Sequence, residues 1–181
     1  MPSTWLLLIY TVPAEPSRKR AAVWREVKKL GAVYLRDGVC ILPERPDTLA
    51  ALRALAQRIE ELDGQASLVQ GAQLDRERAA AVIEQFHTAR ANEYAEIVRE
   101  AELLLAHIAR ETEHRDFTFA ELEELEQDLA KLRRWTDQVR ARDYFSQGPD
   151  AALVALLERG EQALEAFMEQ AQQAEQPAEV D

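Results

Sequence analysis

The sequence predicts an α+β protein in which a small sheet domain precedes a helical extension. Residues 1–74 alternate short apolar segments, which stop at proline or glycine, with amphipathic segments. These two patterns are typical of strands and helices respectively. From residue 75 onward, apolar residues recur only at helical spacing. We therefore predict a sheet domain over residues 1–74, a long-helix extension over residues 75–175 and a frayed tail over residues 176–181.

The first strand and the first helix lie in the segment WLLLIYTVPAEPSRKRAAVWR. Trp5–Val12 is rich in bulky apolar residues and stops at Pro13, which predicts a buried strand. A helix is expected to begin at Pro16 or Ser17, because proline suits a first helical turn and serine caps it, and to end at Gly31. Its predicted apolar face is made by Ala21, Val23, Trp24, Val27 and Leu30.

A hairpin, a second helix and a fourth strand follow. Ala32–Leu35 and Gly38–Leu42 predict two short strands around the turn signal RDG. Asp47 or Thr48 is expected to cap the second helix, and Gln65–Leu74 to form the fourth strand. The order strand, helix, strand, strand, helix, strand is that of a ferredoxin-like βαββαβ domain, with two helices on one face of the sheet.

The extension is predicted to contain three helices. Asp75 is expected to cap a long helix that continues to about Glu113. Thr118 and Glu121 have the spacing of a capping box before the second helix, and the third covers roughly Pro149–Gln173. Each helix has an apolar stripe that must be buried on another helix, on the sheet or on a second subunit, and we expect a homodimer.

Composition narrows the class of protein. Charged residues make up 30% of the chain and hydrophobic residues 47%, which is typical of a soluble globular protein. The single cysteine, Cys40, excludes an intramolecular disulfide and suits a reducing compartment. Trp5–Val12 is too short to span a bilayer. We therefore expect a cytoplasmic protein.

The charge is distributed unevenly along the chain, whose net charge is −11. Residues 1–60 hold ten Lys or Arg against six Asp or Glu, a net charge of +4, which leaves −15 for residues 61–181. Such asymmetry indicates that the two halves meet different partners or each other. Helices that display acidic faces to solvent give the same excess in the second half.

The main candidate site is a basic patch on the first helix. Its members are Arg18, Lys19, Arg20, Arg25, Lys28 and Lys29. Arg18, Arg25 and Lys29 are separated by seven and four residues, so they share one helix face. Arginines near a helix N-terminus are suited to clamp phosphate or another tetrahedral oxyanion. The solvent face of an ordinary amphipathic helix has a similar composition, so both interpretations stay open.

Catalytic and metal chemistry have little support in the sequence. No GxSxG, GxGxxG or P-loop motif occurs, and the cysteine lies in an apolar run that predicts a buried thiol. Glu84 with His87 and Glu111 with His114 form two ExxH pairs, but they lie 27 residues apart on one predicted helix. His107 with Glu111 is a further pair of a kind that arises by chance in a glutamate-rich helix. We predict no catalytic residue, no metal site and no cofactor.

Five segments form a distinctive combination. They are WLLLIYTVP, R-x-A-x-W-R over Arg20–Arg25, KKLGAVYLRDGVCILP over Lys28–Pro43, F-H-x-A-R-x-x-E-Y over Phe86–Tyr94, and RDYF over Arg142–Phe145. Together they resemble the N-terminal region of ChrB, the chromate-resistance regulatory protein found beside chromate efflux transporters. The resemblance extends over nearly all of residues 4–147.

The resemblance implies a chromate-responsive transcriptional regulator. Our leading hypothesis is a non-enzymatic regulatory protein of chromate or heavy-metal resistance that binds DNA or a partner protein through the basic first helix. Family members usually continue into a C-terminal domain that this sequence does not include, so the sensing or activity of that domain is not carried over. A separate protein of the C-terminal type is therefore an expected partner.

The first alternative is an oxyanion-binding or sensing module. In it, Arg20 and Arg25 bind chromate or sulfate together with Arg90 from the long helix. Arg90 is included because it interrupts the apolar stripe between Phe86 and Tyr94. A snorkelling or salt-bridged arginine gives the same pattern.

The second alternative is a metal-dependent nuclease. Residues 1–74 also resemble the ferredoxin-like domain shared by the phenylacetate repressor PaaX and the CRISPR adaptation endonucleases. Those nucleases end the first strand with Tyr-Asp, and the aspartate binds the metal. Here Tyr10 is followed by Thr11, whose neutral hydroxyl is a poor ligand for Mg²⁺. Nuclease activity is therefore not expected.

Overall fold

The computed structural model describes residues 4–145, 148, 149 and 151–175, and the predicted tail at 176–181 lies outside them. The elements, in chain order, are β1 (Trp5–Thr11), α1 (Ser17–Lys29), β2 (Val33–Arg36), β3 (Val39–Pro43), α2 (Pro46–Glu61), β4 (Gln65–Ala72), α3 (Arg76–His114), α4 (Phe119–Ala141) and α5 (Ala151–Glu175). This order confirms the predicted α+β fold of a βαββαβ domain followed by three helices.

The four strands form one antiparallel sheet in the order β2-β3-β1-β4. Leu8 in the central strand β1 is opposite Cys40 of β3 on one side and Leu68 of β4 on the other. This strand order is that of a ferredoxin-like sheet. Alternate residues of β1, Leu6 and Leu8, are fully buried, and they belong to one apolar cluster with residues of both helices that follow the strands. The members from α1 and α2 are Val23, Val27, Leu52, Leu55 and Ile59.

The chain divides into two compact units. Residues 4–89 and 142–145 form the first, which we call the sheet unit. Residues 90–141 form the second, the helical unit, with the described residues from 148 to 175. The sheet unit therefore contains more than the predicted domain at residues 1–74. The first turns of α3 and residues 142–145, which we call the returning segment, also belong to it.

An aromatic cluster accounts for the returning segment. The Trp5 ring stacks on Phe86 with their centroids 6.3 Å apart, and Phe145 packs against both rings at 5.7 and 5.0 Å. The Tyr144 ring meets Phe86 edge-on, and its hydroxyl donates a 2.8 Å hydrogen bond to the Leu30 carbonyl. Aromatic pairs with this geometry add about 0.5–1.5 kcal/mol each beyond their buried area.

The helix starts were predicted with mixed success. Asp75 is confirmed as the cap of α3, because its Oδ1 accepts a 2.8 Å hydrogen bond from the Arg78 N–H. The predicted cap of α2 at Asp47 or Thr48 is wrong, because the helix begins at Pro46 and its N-cap is Arg45. A proline at the first helical position moves the start toward the N-terminus.

The helical unit has a separate core. Stripes from all three of its helices form one buried cluster, whose largest fully buried members are Ile97, Leu125, Leu153 and Phe167. Gly160 is buried in α5, and a Cβ there would lie 3.3 Å from Leu129 Cδ1, so this glycine permits a close approach to α4. None of the helices in the described part of the chain combines the length and apolar composition needed to cross a membrane.

Candidate functional site

Helix α1 carries the candidate site, and its two faces follow from the sequence. Val23 and Val27 are buried one turn apart, so the remaining positions face outward or border the core. The first turn contains no acidic residue. It holds Arg18, Lys19 and Arg20, whose charges add to the positive end of the helix dipole. This concentration of positive charge at a helix N-terminus favours a bound anion.

Two of the three lysines of the basic patch, Lys19 and Lys29, form ion pairs within the sheet unit. Lys19 Nζ lies 2.5 Å from Asp63 Oδ2, and this ion pair lowers the pKa of Asp63. Lys29 Nζ lies 2.9 Å from Glu26 Oε1, one turn earlier. The lysines therefore contribute to the helix surface while they hold defined intramolecular contacts.

The three arginines of α1 are different. Arg18, Arg20 and Arg25 are exposed and form no ion pair within the part of the chain that the structure describes. Arg18 and Arg25 are seven residues apart and share the outward face. Arg20 precedes Arg25 by five residues, which places it about 140° around the helix. Arg20 and Arg25 therefore do not converge on one anion.

Trp24 lies between Arg20 and Lys28 on the helix surface, four residues from each. The sequence predicts that it belongs to the apolar inner face of α1, which is wrong, because 53% of its surface is exposed. The ammonium of Lys28 lies 5.8 Å from the centre of the Trp24 ring, in a cation–π contact. An exposed tryptophan between cations is suited to stack on a base or to anchor a protein partner.

A groove opens beside Arg20. Its volume is 580 Å³, and its lining includes Arg20, Trp24, Tyr10, Tyr34 and Thr11. The hydroxyl oxygens of Tyr10 and Tyr34 lie 2.7 Å apart. Burial raises the pKa of both tyrosines, so both hydroxyls are protonated at neutral pH and one proton is available to a ligand.

The turn between β2 and β3 closes one end of this groove. Gly38 has a φ of 71°, and a Cβ at this position would lie 2.5 Å from the Tyr10 carbonyl oxygen. The Tyr10 N–H donates a 2.7 Å hydrogen bond to the Gly38 carbonyl, which holds the turn against the end of β1. Asp37 also lines the groove and is the one carboxylate among its described lining residues.

Other predicted site residues lie elsewhere. Arg90 belongs to the helical unit and is 4% exposed. Its Nε lies 3.2 Å from Glu93 Oε2, so it is the salt-bridged arginine that the sequence pattern indicated as the alternative to an anion ligand. Thr11 is exposed at the end of β1. Cys40 is confirmed as a buried thiol, and burial raises its pKa to about 12, which disfavours the reactive thiolate.

The contact between the two tyrosines was not predicted from the sequence. Tyr10 and Tyr34 are 24 residues apart and belong to strands that are not neighbours in the sheet. Their contact depends on the register of both strands with β3, where Leu8 and Tyr34 are both opposite Cys40. Correct prediction of that register would have placed the two hydroxyls near each other.

The fold and this surface define a ferredoxin-like module with a basic, tryptophan-bearing helix. The family model described as "Protein ChrB, N-terminal" matches residues 20–178, and the chain belongs to this family. It is similar to Protein ChrB of Cupriavidus metallidurans, with 36% identity over 94 residues. That match covers 52% of this chain and 28% of the relative. The resemblance inferred from the five sequence segments is confirmed.

Proposed function

We propose that the chain is a non-enzymatic regulatory protein of chromate resistance that binds DNA through α1. The observation that carries this proposal is the surface made by Arg18, Arg25 and Trp24, in which exposed arginines without ion pairs among the described residues adjoin an exposed aromatic ring. Family membership supports the link to chromate resistance.

Electrostatics supports a local contact with phosphates. The chain as a whole has a net charge of −11, which disfavours nonspecific adhesion to DNA. Binding must therefore depend on the cations of α1, where Arg18 and Arg25 are free to contact two phosphates and Trp24 contacts Lys28 on the same helix.

The test is the salt dependence of DNA binding, measured by fluorescence anisotropy with duplexes from the promoter region of the gene's own operon. Each phosphate contact adds about −0.9 to the slope of log K against log salt, so the double variant Arg18→Glu, Arg25→Glu loses affinity and its slope becomes shallower by about 1.8. Arg53→Glu with Arg76→Glu is the matched control, since it makes the same charge change at exposed positions on α2 and α3. Equal loss in both double variants, or binding that is independent of salt, contradicts the proposal.

An oxyanion-binding role is the second candidate, and the groove beside Arg20 favours it. One guanidinium and the one available hydroxyl proton of the tyrosine pair are suited to hold a tetrahedral anion such as chromate or sulfate. Calorimetric titration with both anions tests this role. Arg20→Gln is expected to abolish the heat while Arg25→Gln, on the other side of α1, retains it. The absence of heat at millimolar anion rules this role out.

A further inference from the structure

His107 on α3 faces two carboxylates within the helical unit. Its Nε2 lies 2.9 Å from Glu121 Oε1 and 3.5 Å from Glu111 Oε1. One ligand atom from each of the three residues lies within 4.8 Å of the other two. We propose that His107, Glu111 and Glu121 bind a divalent transition-metal ion of the zinc type.

Local structure fixes the three residues relative to one another. His107 and Glu111 are four residues apart on α3, so they share a helix face. Glu121 lies in the first turn of α4, where its N–H donates a 3.3 Å hydrogen bond to Thr118 Oγ1. The α3–α4 connection is short. At the end of α3, the Asp116 N–H donates a 3.0 Å hydrogen bond to the Glu111 carbonyl. The helix end and the cap together hold both glutamates against the histidine.

Burial makes this cluster different from the many exposed glutamates of the chain. Glu111 is only 8% exposed, and the Oε1 atom of Glu121 is buried without a hydrogen bond in the described structure. His107 Nε2 is close to this oxygen but is not directed at it as a hydrogen-bond donor. A buried carboxylate oxygen without a donor is costly, and a cation between the three side chains supplies the missing partner.

Arg110 provides support to one of the proposed ligands. Its Nε lies 2.7 Å from Glu111 Oε1, the same oxygen that lies 3.5 Å from His107 Nε2, so this ion pair holds the carboxylate in place beside the histidine. Residues that orient metal ligands in this way commonly affect metal affinity nearly as much as the ligands themselves.

A cavity adjoins the histidine of the cluster. It has a volume of 380 Å³ and is lined by His107 together with Glu100, Asp128, Leu132 and Trp135. Three protein ligands leave at least one coordination position of a tetrahedral ion vacant, and the cavity has room for the water that fills it. The site is therefore of the open kind, in which a bound ion exchanges with solvent.

The ligand set indicates the class of ion. One imidazole and two carboxylates suit Zn²⁺, Mn²⁺ or Fe²⁺. Mg²⁺ retains its waters and prefers oxygen ligands alone, so it is expected to bind much more weakly. The cysteine of the chain lies in the sheet unit, so no thiolate contributes to this cluster.

The experiment is isothermal titration of the full chain with Zn²⁺, with Mg²⁺ as the reference ion. We expect one zinc ion per chain and an affinity at least about 100-fold lower in His107→Gln and in Glu121→Gln. His87→Gln and His114→Gln are matched controls, because both residues lie on α3 three residues after a glutamate and neither belongs to the cluster. Both controls are expected to bind zinc like the parent chain.

Cobalt provides a second readout that does not depend on heat. The visible absorption of bound Co²⁺ reports the number and geometry of its ligands, and we expect the same spectrum in the parent chain and in both controls but a weaker or shifted one in His107→Gln. Glu121→Gln keeps the size of the side chain and serves as the ligand variant if the histidine variant fails to fold. Zinc affinity that is equal in the parent chain and both ligand variants means adventitious binding by surface carboxylates, and this overturns the proposal, as does a parent chain that binds no zinc.

Discussion

The hydroxyl groups of Tyr10 and Tyr34 are 2.7 Å apart and connect β1 to β2 across the intervening strand β3. This hydrogen bond joins the central strand to an edge strand at the wall of the groove that contains Arg20. It is a direct connection between two strands that share no backbone ladder, and it holds two side chains of the groove wall together.

We predict that Tyr34→Phe lowers the free energy of unfolding by about 1 kcal/mol, the usual contribution of one such hydrogen bond. The hydrogen bond with Tyr34 lowers the pKa of Tyr10 and partly offsets the effect of burial. The Tyr10 pKa is therefore expected to rise further in this variant. Urea denaturation measures the first effect, and tyrosinate absorbance during an alkaline titration measures the second. A Tyr10 pKa that falls in the variant contradicts the assigned contact.

Two glycines with similar backbone angles allow the cost of a left-handed backbone to be separated from the cost of a steric clash at an added Cβ. Gly38 and Gly71 have φ values of 71° and 67°, but an added Cβ meets the Tyr10 carbonyl oxygen at 2.5 Å only at Gly38 and has open space at Gly71. Gly71→Ala is expected to cost about 1–2 kcal/mol for the left-handed backbone. Gly38→Ala is expected to cost a further 1–3 kcal/mol or so for overpacking. Equal losses in urea denaturation would show that the turn moves away from β1.

The aromatic cluster predicts a large loss of stability from one truncation. Phe86 is 1% exposed and contacts three other aromatic rings. Phe86→Ala is expected to lower the free energy of unfolding by about 3–5 kcal/mol. Phe119 is 80% exposed, so Phe119→Ala serves as the control and is expected to change stability by less than about 0.5 kcal/mol. A small effect at Phe86 would mean that the cluster is not closely packed in solution.

The buried thiol of Cys40 predicts a loss of stability at alkaline pH. Its pKa is raised by burial from 9.0 to about 12, so the folded state keeps the proton that the unfolded chain releases. The corresponding stability is fully present below pH 9 and is lost as the pH rises toward 12. Denaturation at a series of pH values is expected to show a shallower alkaline decline for Cys40→Ala than for the parent chain. The remaining decline in the variant belongs to other groups, including the two groove tyrosines.

Local signals were sufficient to predict the order of the elements. Apolar runs that stop at proline or glycine gave the four strands, and the capping side chains of Asp75 and Thr118 marked two helix starts that the structure confirms. Trp24 was misplaced because it follows the buried Val23 directly, and one residue turns a helix by about 100°. An apolar side chain at that position is exposed although Val23 before it is buried.

The parts of the sites that escaped prediction depend on contacts between elements distant in sequence. His107 and Glu111 were noted as a pair, but Glu121 joins them only because α3 and α4 meet at a short connection. No residue spacing within one helix reveals that third ligand. The spacing in the sequence was enough to find the arginines of α1. Their division into an outward pair, Arg18 and Arg25, and a groove residue, Arg20, became clear only from the positions of the buried valines on the same helix.

The returning segment at Tyr144 and Phe145 makes the sheet unit discontinuous along the chain. During synthesis, residues 4–89 are made first. Tyr144 and Phe145, the last two aromatic residues of the cluster, are made only after the whole of α4. Until then, Trp5 and Phe86 lack contacts that they have in the finished fold. A fragment that ends after the first turns of α3 is therefore expected to bind chaperones and to aggregate during translation, although it contains every strand of the sheet.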